Sequence, residues 1–149
     1  MSDGKTQQNV VAAARFYIDF TNLGKIAFSE LQGITSKVVP SEYIYNDHQG
    51  RTVHTKQFGK TEPPTITLRR GLDLDGNTKL LAWHLMARRG DPTARGDGTL
   101  AIIDVGGEIK YQLVNGWCQE LVISGMKAGD SAVSFIECKI CCEEIYAIP

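Results

Sequence analysis

The 149-residue chain is long enough for one domain with a sizeable core. Charged residues make up 22% and the formal net charge is −1, so the overall balance carries no electrostatic signature of a nucleic-acid or membrane partner. No apolar run approaches the ~20 residues of a bilayer span, and the polar start, Met1 to Gln8, lacks the apolar stretch of a signal peptide. Synthesis and folding in a cytoplasm are expected.

Residues 1–14, polar and then Ala-rich, read as a flexible arm ahead of a single domain over 15–149. Arg15–Phe20 alternates, with Phe16, Ile18 and Phe20 on one side, which predicts a half-buried strand. A turn at Asn22–Gly24 leads to a short strand over Lys25–Ser29. Ile34–Tyr45 has strand character interrupted by Pro40, which marks a bulge, an edge or the end of pairing. Residues 46–64, punctuated by Gly50, Gly59, Pro63 and Pro64, predict a long loop or a protruding hairpin. Thr65–Gly71 alternates again.

A helix is predicted over Thr78–Arg89, capped by Asn77 and stopped by Gly90. Beyond it the chain reads as strand and turn. Leu100–Val105 and Glu108–Val114 flank Gly106-Gly107, a two-residue hairpin signal. Trp117–Ser124 and one long strand over Val133–Tyr146 follow, joined by a turn region at 125–130. The expected fold is mainly β: a small antiparallel barrel or sandwich of seven or eight strands with one flanking helix and a long protruding loop.

The chemistry of a site is hard to find. Of the four cysteines, Cys138 and Cys141 have CxxC spacing, but three positions apart in a strand they face opposite ways. Cys118, Cys138, Cys141 and Cys142 therefore read as free thiols and not as a metal site. Asp73–Asn77 imitates the opening of a calcium loop, with its glycine fourth where an EF-hand needs it sixth, and reads as a helix-capping turn. His84 lies on the apolar arc of the helix and reads as a packing residue. No nucleophile elbow, acid/base pair, phosphate loop or cofactor motif is present, so no enzyme is expected. Arg69, Arg70, Arg88, Arg89 and Arg95 read as a solvated surface or as ion pairs to a neighbouring subunit.

Three blocks in order carry a resemblance. Arg15–Phe20 followed by Ile26–Ile34 is similar to the opening of phage tail-tube proteins, an alternating strand and then an F-x-E-V-S-G-L-like segment, with Gln32 replacing the usual small residue. Thr65–Gly71 and then Leu81-Ala82-Trp83 resembles the family's I-T-L-K-R-G strand and tryptophan-bearing helix. Leu113–Trp117 is similar to its N-A-W-P strand end, Cys118 standing where proline is common.

The resemblance implies a structural subunit of the inner tube of a contractile phage tail or phage-tail-like injection system, with type VI secretion tube proteins as distant relatives. Hexameric rings would stack into a hollow tube driven through a target envelope by sheath contraction. The implied partners are copies of itself, a contractile sheath protein, baseplate or hub and tube-terminator proteins, and cargo in the lumen, either DNA or a protein effector. Assembly would occur in a bacterial cytoplasm, and the mature location would be a virion tail or an extracellular particle. Two alternatives stay open: a tube-initiator or adaptor protein of the same fold, and a small monomeric β-barrel that binds a ligand. Within the implied tube, Tyr43, Tyr45 and Phe58 on the arm at 41–64 are expected at the ring-stacking contact. Glu137, Lys139, Cys141 and Glu143 are expected to face the lumen, and Trp83 and Trp117 to be structural.

Overall fold

The computed structural model describes residues 15–129 and 134–149. The expected arm 1–14 and Val133, at the head of the expected last strand, lie outside the described residues. The elements run β1 Arg15–Phe20, β2 Gly24–Phe28, β3 Glu30–Asn46, β4 Thr52–Gly71, α1 Leu74–Arg88, a short 3-10 helix Pro92–Ala94, β5 Gly96–Asp104, β6 Gly107–Ile123, β7 Phe135–Cys141 and β8 Glu144–Ile148. One eight-stranded sheet has the order β2-β1-β5-β6-β7-β4-β3, and β8 pairs with β6 off this path. Its end strands, β2 and β3, are consecutive in the chain with only Ser29 between them. The sheet thus curls back toward itself without a ladder closing it, and the Ser29 N–H donates to the Arg69 carbonyl at 3.0 Å.

The curl is made in β6. Its first half pairs with β5 and β8, its second half with β7. Between them Asn115 takes φ 52°, a left-handed conformation that asparagine tolerates, and its N–H donates to the Asp97 carboxylate at 2.9 Å. The two strands expected on either side of this point are therefore one bent strand. The expected last strand, in contrast, is two. The chain leaves β7 at Cys142, whose N–H donates to the Pro64 carbonyl at 3.0 Å, and Glu143 donates to Val114 at 2.9 Å before β8 begins.

The alternation of β1 is observed as read: Ile18 and Phe20 are buried, while Arg15 and Asp19 are exposed. Phe20 sits at the centre of the core. Its ring lies so close to the β5 and β6 backbones that a Cβ on Gly98 would stand 2.6 Å from it, and one on Gly116 3.0 Å. Trp83 of α1 stacks on the same ring at 4.9 Å between centroids, and its Nε1 donates to the Ala94 carbonyl at 2.7 Å.

Helix α1 begins earlier than expected. Asp73, not Asn77, is its N-cap: the Asp73 carboxylate accepts from the Gly76 N–H at 3.0 Å. Asn77 is already helical, its own N–H donating to the Asp73 carbonyl at 3.0 Å. His84 is half-buried as a packing residue, with Nδ1 donating to the Cys118 carbonyl at 2.9 Å.

Trp83→Ala removes a buried ring and a buried hydrogen bond, and is expected to cost about 3–5 kcal/mol of unfolding free energy. Urea denaturation of the variant checks this, and a loss below 1 kcal/mol would contradict the placement of Trp83 at the centre of the core.

Candidate functional site: the projecting arm and the polar sheet face

Two surfaces stand out from the body of the fold. The first is the region expected as a long loop or a protruding hairpin, and it is the hairpin. It is a two-stranded ribbon made by the distal halves of β3 and β4, paired from Lys37↔Glu62 out to Asn46↔Thr52. Glycine and proline made it look like a loop because the ladder is interrupted, with register shifts between Thr35 and Lys37 and between Val38 and Pro40. Gly59 belongs to the second irregularity, since a Cβ there would run into the Val39 carbonyl and Ser41. Asp47 closes the tip, its carboxylate accepting from the N–H groups of Gln49 and Arg51, each at 2.9 Å. The Arg51 backbone bond is the largest influence holding the Asp47 carboxyl below its usual range.

Nothing in the described chain pairs with this ribbon beyond its own two strands, and it exposes apolar side chains. Phe58 is 97% exposed and Ile44 57%. Tyr43 stands opposite Thr55, Tyr45 opposite Val53 and Phe58 opposite Pro40. Tyr45 and Phe58 thus occupy positions of opposite parity and leave the ribbon on opposite faces. Phe58 shares its face with Ile44 and with a hydrogen-bonded pair in which His54 Nδ1 lies 2.7 Å from the Glu42 carboxylate. Ile44 is the arm residue that the search for aromatics missed.

The second surface is the outer face of β7 and its neighbours. Ile136, Cys138 and Ile140 are buried and alternate with half-buried Glu137, Lys139 and Cys141. Across the sheet the register aligns Arg69, Glu137 and Val122, and then Thr67, Lys139 and Glu120. Arg69 donates to Glu137 at 3.1 Å and lies over the Phe135 ring at 3.9 Å. The result is a sheet face that carries charges of both signs beside Val122 and Phe135. Glu143 does not share it by strand alternation, because it falls in the break between β7 and β8 and is exposed there.

The thiols divide as the alternation requires. Cys118, Cys138 and Cys142 are buried and Cys141 is half-buried. Cys118 and Cys138 bring their sulfurs to 3.3 Å across the sheet, a contact that their separation of 20 residues conceals. The hydrogen bond with Cys118, and then burial, push the Cys138 thiol well up, and burial pushes Cys142 up to about 12. Cys141 is raised by burial and drawn back by Arg95 and Lys139. Trp117, half-buried, lines a cavity of about 370 Å³ at the C-terminal end of α1, with the Arg95 guanidinium 6.0 Å above its ring. Among the described residues, no three or more His, Cys, Asp and Glu side chains gather as a metal site.

A curled antiparallel sheet, one helix on its flank and a long projecting ribbon define a tail-tube fold. The chain belongs to the T4-like virus tail tube protein gp19 family, whose model matches residues 12–146. No curated protein matches it in sequence. Among solved structures, it is similar to a chain of the sheath/tube terminator of the extracellular contractile injection system PVC in its extended state. The identity is 20%, the match covers 93% of this chain and 95% of that one, and the TM-score is 0.69. A chain of the PVC sheath-tube complex is 19% identical, with 96% and 97% covered and a TM-score of 0.64. Hcp1 from Salmonella typhimurium is 9% identical, with 89% and 84% covered and a TM-score of 0.53. At these identities the structural likeness speaks for the fold.

The thiol environments predict a labelling pattern. In the unassembled native chain at pH 8, Cys141 reacts with a maleimide, more slowly than a free thiol, because its raised pKa leaves little thiolate. The other three react only on denaturation. Mass spectrometry of the labelled chain counts the adducts, and rapid native labelling of Cys138 or Cys142 would contradict their burial.

Proposed function

We propose that this chain is the repeating structural subunit of the inner tube of a contractile tail or phage-tail-like injection system. Six copies close into a ring, rings stack into a hollow tube, and a contracting sheath drives the tube through a target envelope. The observation that carries this reading is the family match over residues 12–146, nearly the whole domain. Sheath, baseplate and terminator proteins are the corresponding partners, and DNA or a protein effector is the cargo. The particle is a virion tail or an extracellular injection machine. The role is mechanical and conductive, not catalytic.

Physical features of the chain support the reading. The outer edges of β2 and β3 are unpaired among the described strands, and a lateral contact that closes by rotation removes such edges. The ribbon of β3 and β4 projects from one end of the body, as a contact between rings requires. The polar face with Glu137, Lys139 and Cys141 suits a bore: its charges are mixed, so no single-sign patch holds cargo against the wall. Glu143, exposed at the margin of that face, is assigned to the lumen with it. Trp83 and Trp117 serve the body of the subunit.

A second reading, a tube terminator of the same fold, is favoured by the likeness to the PVC sheath/tube terminator. A terminator ends a stack, whereas a repeating subunit extends it.

Native mass spectrometry and electron micrographs of the purified chain are expected to give hexamers and stacked tubes. A monomer that persists at high concentration would refute the reading, and hexamers that never stack would favour the terminator. The arm is tested separately by replacing residues 39–60 with an Asn-Gly turn between Val38 and Thr61, which are opposite each other in the ladder. The variant is expected to fold and form rings but no long tubes. Tubes of normal length from it would remove the arm from the stacking contact.

A further inference from the structure

The arm is one half of a contact, and the other half lies at the opposite end of the subunit. In the body of the sheet, Thr65, Cys141 and Trp117 are aligned at the end from which the arm projects. Arg70, Ile136 and Ile123 are aligned near the other end. There the chain leaves β4 into α1 and leaves β6 into the segment that carries Met126. A groove of about 450 Å³ opens at this end, lined by Leu72, Asp73, Leu74, Asn77, Ile123 and Met126. Its rim is apolar and open to solvent: Leu74 is 83% exposed and Met126 69%. Exposed side chains of this size grouped at one place mark an interaction site.

We infer that this groove receives Phe58 from the arm of a second copy of the chain. The inference rests on the stacked-ring reading and names the contact that would join one ring to the next. Three observations select this occupant. First, arm and groove lie at opposite ends of the same strand, so a head-to-tail repeat brings one to the other, whereas no fold of a single copy does. Lys60 and Gly71 are roughly 35 Å apart along β4 at the rise of a strand.

Second, the reach agrees. Phe58 lies four residues beyond Glu62, about 13 Å past the base of the arm, and so faces the near end of the next subunit rather than its middle. Third, the charges match. Phe58 is flanked in β4 by exposed Lys56 and Lys60, and the groove is rimmed by exposed Asp73 and Asp75. Asp73 keeps its bond from Arg70 at 2.8 Å and Asp75 its ion pair with Lys79 at 3.5 Å, and each retains exposed oxygen for a second cation. The docked phenyl ring supplies apolar area, and the lysine–aspartate rim fixes direction and register.

Because such a contact is heterologous, it repeats without closing and lengthens the stack one ring at a time. It also leaves an unfilled groove at one end of a tube and a free set of arms at the other, so the two ends are chemically different.

The test uses the unmodified chain. Tubes and unassembled protein are treated with a carbodiimide, which joins a lysine to a carboxylate in direct contact, and the products are mapped by mass spectrometry. Tubes are expected to give interchain links from Lys56 or Lys60 to Asp73 or Asp75, and unassembled protein none. In parallel, Phe58→Asp is expected to keep rings and lose tubes entirely. Tubes whose Lys56 and Lys60 link only to other carboxylates, or a Phe58→Asp chain that stacks normally, would overturn the docking while leaving the stacked-ring reading intact. A parent chain that forms no tubes at all would take down both.

Discussion

Phe20 lies against two strand backbones at once, and the body of the subunit depends on that contact. Gly98 on β5 and Gly116 on β6 leave no side chain between backbone and ring, and Trp83 covers the ring from the helix. Without both glycines the ring would be displaced by about the radius of a methyl group, and α1 would lose the partner that docks it. The same region contains the bend of β6 at Asn115, so the residues that fix the core also turn one half of the sheet against the other. In the proposed tube such a curl, set by close packing, would suit a subunit under axial load, because packed interiors deform little.

The rest of the molecule follows from that rigid body. Among the described residues no layer packs on the distal ribbon of β3 and β4, and its register is held by ladder bonds, its bulges and the Asp47 tip. An unsupported ribbon of this kind is marginally stable by itself. It gains most by lying on another surface, which is a physical reason for it to be an assembly element and not a decoration. The body offers such a surface at its far end, and a tube built from these contacts has one kind of subunit and two unlike ends.

Local chemistry made part of this legible in the sequence. The alternation of Arg15–Phe20 and a tight hairpin ahead of Glu108 each depend on neighbours along the chain and are legible there, although the two-residue turn is Val105-Gly106, one position before the expected Gly106-Gly107, since Gly107 already pairs with Asp104. What was hidden depends on partners far away. The arm stayed open between loop and hairpin because Pro40, Gly59, Pro63 and Pro64 are loop residues in isolation, whereas opposite a long partner strand they become bulges and edge positions. The break after β7 lies opposite the bend of β6, between the pairs Trp117↔Cys141 and Val114↔Glu144, and so depends on a strand far from it in the sequence. Asp73 and Asn77 are both good caps, and the Arg70 guanidinium on Asp73 helps decide between them. The groove was missed because Leu74 lies inside a polar turn sequence and Met126 between strands, with no periodicity to place either on a surface.

The proposed tube requires this fold to close laterally into a ring, with the polar sheet face toward the axis and the helix on the opposite side of the subunit wall. A cryo-electron microscopy reconstruction of the assembled particle tests it most directly. Six chains are expected around a hollow axis, with Glu137, Lys139 and Cys141 facing the bore and α1 on the outer wall. A reconstruction with α1 lining the channel, or one in which the chains do not close around an axis, would contradict it.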